Sequence, residues 1–174
     1  MNEYEFTLKY ATGSPGVHAE ELLNSLFESG CDDAVVGVGL AGRLALQFDR
    51  EAYSAMEAVA SAMQDVARAL PGAKLIEADP DMVSLTDMAE RLKFSRQNMR
   101  KIMLNNAADF PLPIHDGTPA IWHLAPVLEW FQTHSNRYFM PDLYELARVT
   151  MQVNLVRDMR QLDATISEQF KELA

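Results

Sequence analysis

TDMAERLKFSRQNMRKIM, residues Thr86 to Met103, sits in a chain of 174 residues with a formal net charge of −10. From Arg91 to Asn105 it carries five basic residues (Arg91, Lys93, Arg96, Arg100 and Lys101) and no acidic one. Ser84 and Asp87 have the spacing of a capping box, which predicts a helix over Ser84–Leu92. Ser95 is a good N-cap for a second helix to about Asn105, leaving only Lys93-Phe94 between the two. Two short helices joined so tightly cannot lie parallel, so they cross as a helix-turn-helix and present the second helix to solvent. Met88, Leu92, Phe94, Met99 and Ile102 fall at the positions that pack such a pair, with Ala89 at the close approach. Ser95, Arg96, Gln97, Arg100 and Lys101 are left facing outward.

That outward set suits double-stranded DNA. An α-helix fits the major groove, where arginine pairs bidentately with guanine and glutamine with adenine. Arg96, Gln97 and Arg100 are therefore the expected base readers, and Arg91, Lys93 and Lys101 the expected phosphate ligands. A carboxylate on this surface would repel the backbone, which accounts for its absence. The plain alternative is a solvated helical hairpin whose cations only keep it soluble.

Downstream, Phe110–Ile114 and Ala120–Trp122 read as a hairpin around His115-Asp-Gly-Thr118, with a helix from Leu124 to about Thr133. Ser84, Leu85, Asp87, Ala89, Glu90, Leu92, Ser95, Arg96, Gln97, Phe110, Pro111, Pro113, Trp122, Val127 and Trp130 follow in a set order and spacing. In these residues, the stretch Val83–Phe131 resembles the winged helix-turn-helix of the MerR superfamily, especially its AlpA/excisionase-like branch. The resemblance covers about 50 of the 174 residues and implies DNA binding through the second helix and the wing. It departs at two places. Lys93 stands where such turns usually have glycine, so a lysine is expected in a left-handed backbone. The wing lacks the usual basic residues and offers His115, Asp116 and Thr118, with Thr118 and backbone amides left to meet a phosphate. Trp122 and Trp130 are expected in the core, pinning wing to helix.

Upstream, Glu3–Tyr10 alternates Tyr4, Phe6, Leu8 and Tyr10 against polar residues, the period of a half-buried strand. His18–Ser29 is predicted helical, with Gly30 as its stop. Ala34–Val38 and Arg43–Phe48 read as strands about a glycine turn, Tyr53–Leu70 as a helix, and Ala73–Glu77 as a last strand. The order βαββαβ suggests a ferredoxin-like sandwich with two helices on one sheet face. Ala78-Asp-Pro-Asp81 is expected to be a linker. The fold class is thus α+β, with an acidic domain over residues 1–79, a winged helix-turn-helix over 82–134, and a C-terminal helix over 138–174.

The last helix is expected to run unbroken from Pro141 to Leu173, about 50 Å at 1.5 Å per residue. Its apolar positions, Leu146, Val149, Val153 and Val156, then Met159, Leu162, Ile166 and Leu173, form two heptad-like sets out of register. A second copy of the chain is the simplest partner for them, with packing on its own domains as the lesser choice.

Other chemistry finds little support. Gly37-Val-Gly39-Leu-Ala-Gly42 matches GxGxxG, but a dinucleotide site needs a helix to begin there, and RLALQFD alternates as a strand. Four histidines (18, 115, 123 and 134) lack ligand spacing, so no metal and no cofactor is expected. No catalytic constellation stands out, so no enzyme is expected. One cysteine, Cys31, excludes an intrachain disulfide and suits a reducing cytosol. The longest apolar run is too short for a membrane span, and the acidic start MNEYEF is no signal peptide.

Residues 1–80 hold 5 Lys and Arg against 13 Asp and Glu, so the acidity belongs to the N-terminal part. The expected protein is a cytoplasmic, homodimeric, DNA-binding transcriptional regulator. Its acidic domain would either hold a small-molecule effector or grip a basic protein partner, the latter making the chain antitoxin-like or an adaptor that regulates its own synthesis.

Overall fold

The computed structural model describes residues 1–13, 19–135, 141–171 and 173. His18, an expected helix start, and residues 138–140 of the expected C-terminal helix lie outside them. The elements are β1 (Asn2–Ala11), α1 (Ala19–Glu28), β2 (Ala34–Val38), β3 (Arg43–Ala52), α2 (Ala55–Ala69), β4 (Lys74–Asp79), β5 (Met82–Ser84), α3 (Leu85–Arg91), α4 (Arg96–Asn105), β6 (Ile121–His123), α5 (Leu124–His134), α6 (Pro141–Met159) and α7 (Ala164–Phe170). The class is mixed α+β with antiparallel sheets.

The first sheet has the strand order β2-β3-β1-β4. Period-2 alternation puts Tyr4, Phe6, Leu8 and Tyr10 of β1 on one face, beside Leu44, Leu46 and Phe48 of β3, all buried. The register pairs Phe6 with Phe48, and their rings stack at 5.2 Å between centroids. Helix α2 covers this face with Ala55, Ala58, Val59, Ala62 and Val66. Small residues in that stripe let the helix lie close on a sheet already filled by aromatic rings. Gly37–Gly42 lies in a hairpin, since β2 and β3 pair antiparallel through Val38 and Leu44; the glycine motif opens no helix.

Three helices cover the sheet where two were expected. Helix α6 packs on α2, β1 and β4, and also on α5. Leu146 joins the core of the first sheet, with Val149 and Val153 against it. Ala147, one residue on, joins the second core, built around Met88, Met99, Trp122, Leu128 and Phe131. So α6 packs on its own chain, the lesser of the two choices read from the sequence. The expected unbroken helix also stops at Met159. Asp163 then caps α7, its side chain accepting from Thr165 N and Ile166 N, which turns a long stripe into two elements.

The segment Ala78–Asp81 is no exposed tether. Asn154 of α6 accepts from Ala78 N (2.9 Å) and donates to Ala78 O (2.8 Å) and Asp81 Oδ2 (2.8 Å). Thr150 donates to Pro80 O at 2.6 Å. Asp81 is fully buried, and its other oxygen meets His123 Nδ1 at 2.7 Å. Polar side chains at positions 150 and 154 of an otherwise apolar helix face thus satisfy the backbone where the chain crosses between the two cores. The expected hairpin of residues 110–122 is reduced to a bridge between His115 and Ile121. Ile121–His123 instead pairs with Met82–Ser84, a strand not read from the sequence.

Candidate nucleic-acid interface

The capping box of α3 is present: Ser84 Oγ accepts from Asp87 N, and Asp87 accepts from Ser84 N at 2.7 Å. Its other end closes by a Schellman turn. Phe94 N donates to Ala89 O (2.8 Å) and Lys93 N to Glu90 O (3.2 Å). Lys93 has a φ of 57°, the left-handed backbone expected at that position. A lysine there costs roughly 1–2 kcal/mol that glycine would not. The turn leaves Ser95 to cap α4, accepting from Asn98 N at 3.1 Å.

Met88, Ala89, Leu92 and Met99 are buried between α3 and α4, with Phe94 and Ile102 packed beside them. Phe94 stacks on Phe131 of α5 at 5.7 Å, so the turn is anchored from behind. With Met99 inward, roughly 100° per residue places Arg96, Gln97, Arg100, Lys101 and Leu104 on one outward arc of about 140°. All five are exposed.

This arc gathers unpaired cations. Among the described residues, Lys93, Arg96, Arg100 and Lys101 form no ion pair. The first turn of α4 carries no acid, so its free N–H groups add to the positive field. The oxygen of Ser95 serves the cap, while its hydroxyl proton remains available to an acceptor. Arg91 is different. It donates to Asp79 Oδ2 at 2.7 Å in a polar recess shared with Lys9, Glu77, Asp87 and Glu90, so meeting a phosphate would require it to leave that carboxylate.

In the segment expected to be the wing, His115, Asp116, Gly117, Thr118 and Pro119 are exposed. The His115 ring folds over Gly117 so closely that any Cβ there would collide with it. Neither His115 nor Thr118 shares a hydrogen bond or ion pair with the α4 cations among the described residues. Trp122 Nε1 donates to Pro111 O (3.0 Å) and Trp130 Nε1 to Asp109 (3.3 Å). Both indoles are buried, as expected of core residues that pin this segment.

Two groups escaped the sequence reading. Arg50, pointing to the helix face of β3, is buried and grips Asp33 with Nε and Nη2 (2.7 and 2.9 Å) and Asp65 with Nη1 (2.7 Å). Burial alone would lower its pKa, but hydrogen bonds to Asp33 and Asp65 raise it above the ordinary value. The signal was a lone arginine on an otherwise apolar strand face. Beside it, the buried Cys31 thiol is pushed up to about 11, by burial first and then by Asp65, and so stays protonated at neutral pH.

The second is a groove of about 860 Å³ between α2, β4 and α6, lined by Met56, Val59, Met63, Val153 and Val156 with basic residues at its margin. Among the described residues, no group of three or more His, Cys, Asp or Glu is placed to hold a metal ion, and no helix is long and apolar enough to cross a membrane. No protein-family model, curated protein or solved structure matches the chain.

Proposed function

We propose that this chain is a cytosolic, homodimeric transcriptional regulator that binds specific double-stranded DNA. In this reading residues 82–134 are a winged helix-turn-helix of the MerR-superfamily, AlpA/excisionase-like kind, and residues 1–79 a ferredoxin-like domain. The strand order β2-β3-β1-β4, with α1 and α2 as crossovers, supports the second assignment. One observation carries the functional reading. The exposed arc of α4 holds Arg96, Arg100 and Lys101 with no acid beside them, in a chain with ten more acids than bases.

Helix α4 would enter the major groove, Arg96, Gln97 and Arg100 reading base edges and Lys93 and Lys101 holding phosphates. A dimer would prefer an inverted repeat with half-sites about 10 bp apart. Fragmented DNA of the source genome, retained by the chain at ~50 and ~200 mM salt and then sequenced, tests this reading. The expected result is one palindromic motif enriched at both salts. Retention of everything at low salt and nothing at high salt would reduce the reading to phosphate attraction. No retention at either salt would overturn it.

A second reading has its own observation. On the uncovered face of the first sheet, Glu3 lies opposite Glu51 and Glu5 opposite Asp49, an arrangement of like charges that weakens a sheet. An acidic face kept at that cost fits a basic protein partner, with DNA binding serving autoregulation. A basic protein that co-purifies with the parent, and is lost with Glu5→Gln/Asp49→Asn/Glu51→Gln, would favour it.

A further inference from the structure

The groove beside α6 and the C-terminal segment are two unsatisfied surfaces of one chain, and they are complementary. Met56 and Val156 of the groove are exposed apolar residues. Lys74, Arg148 and Arg160 also line it and form no ion pair among the described residues, while the carboxylate of Glu145 in the same lining is taken up by Tyr4 OH and Ala55 N. On the other side, Ile166 and Phe170 stand one turn apart on one face of α7, with Leu162 just before its cap and Leu173 just beyond its end. Each is more than half exposed, and α7 buries none of its residues. The segment from residue 161 to 174 holds three acids and one lysine. A segment of net negative charge with exposed apolar residues therefore follows on a groove that is apolar and basic.

We propose that α7 of one copy lies in the α2–α6 groove of a second copy, and that the exchange is reciprocal. Recognition is helix-in-groove: Ile166 and Phe170 enter between Met56, Val153 and Val156, while Glu168 exchanges its exposed pair with Lys171 for Arg148 or Arg160. The reciprocal exchange closes a two-fold assembly and uses both surfaces twice. It rests on the homodimer reading above and identifies the contact that makes the dimer. It also gives α6 a second task. The helix that holds Ala78–Asp81 through Thr150 and Asn154 on one face forms a wall of the dimer contact on another.

The test uses the full chain and two variants at exposed positions, where substitution spares the core. In Ile166→Asp/Phe170→Asp the inserted helix is disabled; in Met56→Glu/Val156→Glu the groove is. Sedimentation equilibrium is expected to give a dimer for the parent and at least tenfold weaker association for either variant. Circular dichroism and the fluorescence of Trp122 and Trp130 should remain as in the parent. Mixing the two variants should restore a one-to-one heterodimer, because one intact helix then meets one intact groove. A parent that is dimeric and stays so in both variants would overturn this contact while leaving the homodimer reading in place. A monomeric parent would overturn both. Two variants that dissociate but do not associate when mixed would also overturn it, by assigning the groove to the helix of the same chain.

Discussion

Arg50 and Arg96 are the same residue type in two opposite settings, 46 positions apart in the sequence. Arg50 is buried with two carboxylates, a serine hydroxyl and a carbonyl around it. Its guanidinium joins β3 to α2 and to the turn before β2, and it has no capacity left for a ligand. Arg96 lies on an exposed helix face without an ion pair among the described residues, and so do Arg100 and Lys101. A chain with 25 acids and 15 bases has carboxylates enough to pair each of its cations. The α4 face is left without an ion pair among the described residues, as are Lys74, Arg148 and Arg160 elsewhere, and what distinguishes α4 is that its cations share one arc. Arg91, half-exposed and paired with Asp79, stands between the two extremes.

This ordering can be broken experimentally, beginning with its buried end. Arg50→Met leaves Asp33 and Asp65 without their partner and is expected to destabilise the chain by about 3–5 kcal/mol. Urea unfolding measures this, and a loss near zero would mean that solvent reaches the cluster. Lys93→Gly should act in the other direction. It relieves the left-handed lysine and is expected to raise stability by about 1 kcal/mol, read as a higher urea midpoint at unchanged slope. Arg91→Ala removes a half-exposed pair, worth about 0.2–1 kcal/mol after solvent screening, and that effect should shrink in 1 M salt. Arg100→Ala completes the series, since it should leave the urea midpoint where it is and act on DNA alone.

How far these settings could be read from the sequence depended on the range of the interactions involved. Local signals sufficed for the pair α3 and α4. Ser84 with Asp87, Ser95 with Asn98, and the lysine in the αL position all act within five residues of the chain, so the caps, the turn and the outward face were legible. The sheet was legible too, because alternation at Tyr4, Phe6, Leu8 and Tyr10 fixes which face is buried. Long-range pairings were not. Asp33 and Asp65 meet Arg50 only after β3 and α2 pack together, and Asp33 reads as a turn residue until then. Asn154 reads as an interruption of an apolar stripe, yet it supplies both hydrogen bonds to Ala78 from 76 positions away. The break at residues 160–163 was missed because no proline or glycine marks it. Asp163, a helix cap, was the available sign. For the site, the identity and exposure of Ser95, Arg96, Gln97, Arg100 and Lys101 were legible, whereas the engagement of Arg91 by Asp79 was not.

The most direct test of the central claim is the salt dependence of DNA binding by the parent and by Arg96→Ala/Arg100→Ala/Lys101→Ala. Fluorescence anisotropy on the duplex enriched from genomic fragments gives the dissociation constant across a salt series. If α4 faces DNA, the triple variant should bind at least a hundredfold more weakly, and the slope of log K against log salt should fall by about 1, the share of Lys101, the one phosphate ligand among the three. Equal affinity and equal slope for the two proteins would contradict the account, because the unpaired cations of α4 would then have no phosphate or base to meet.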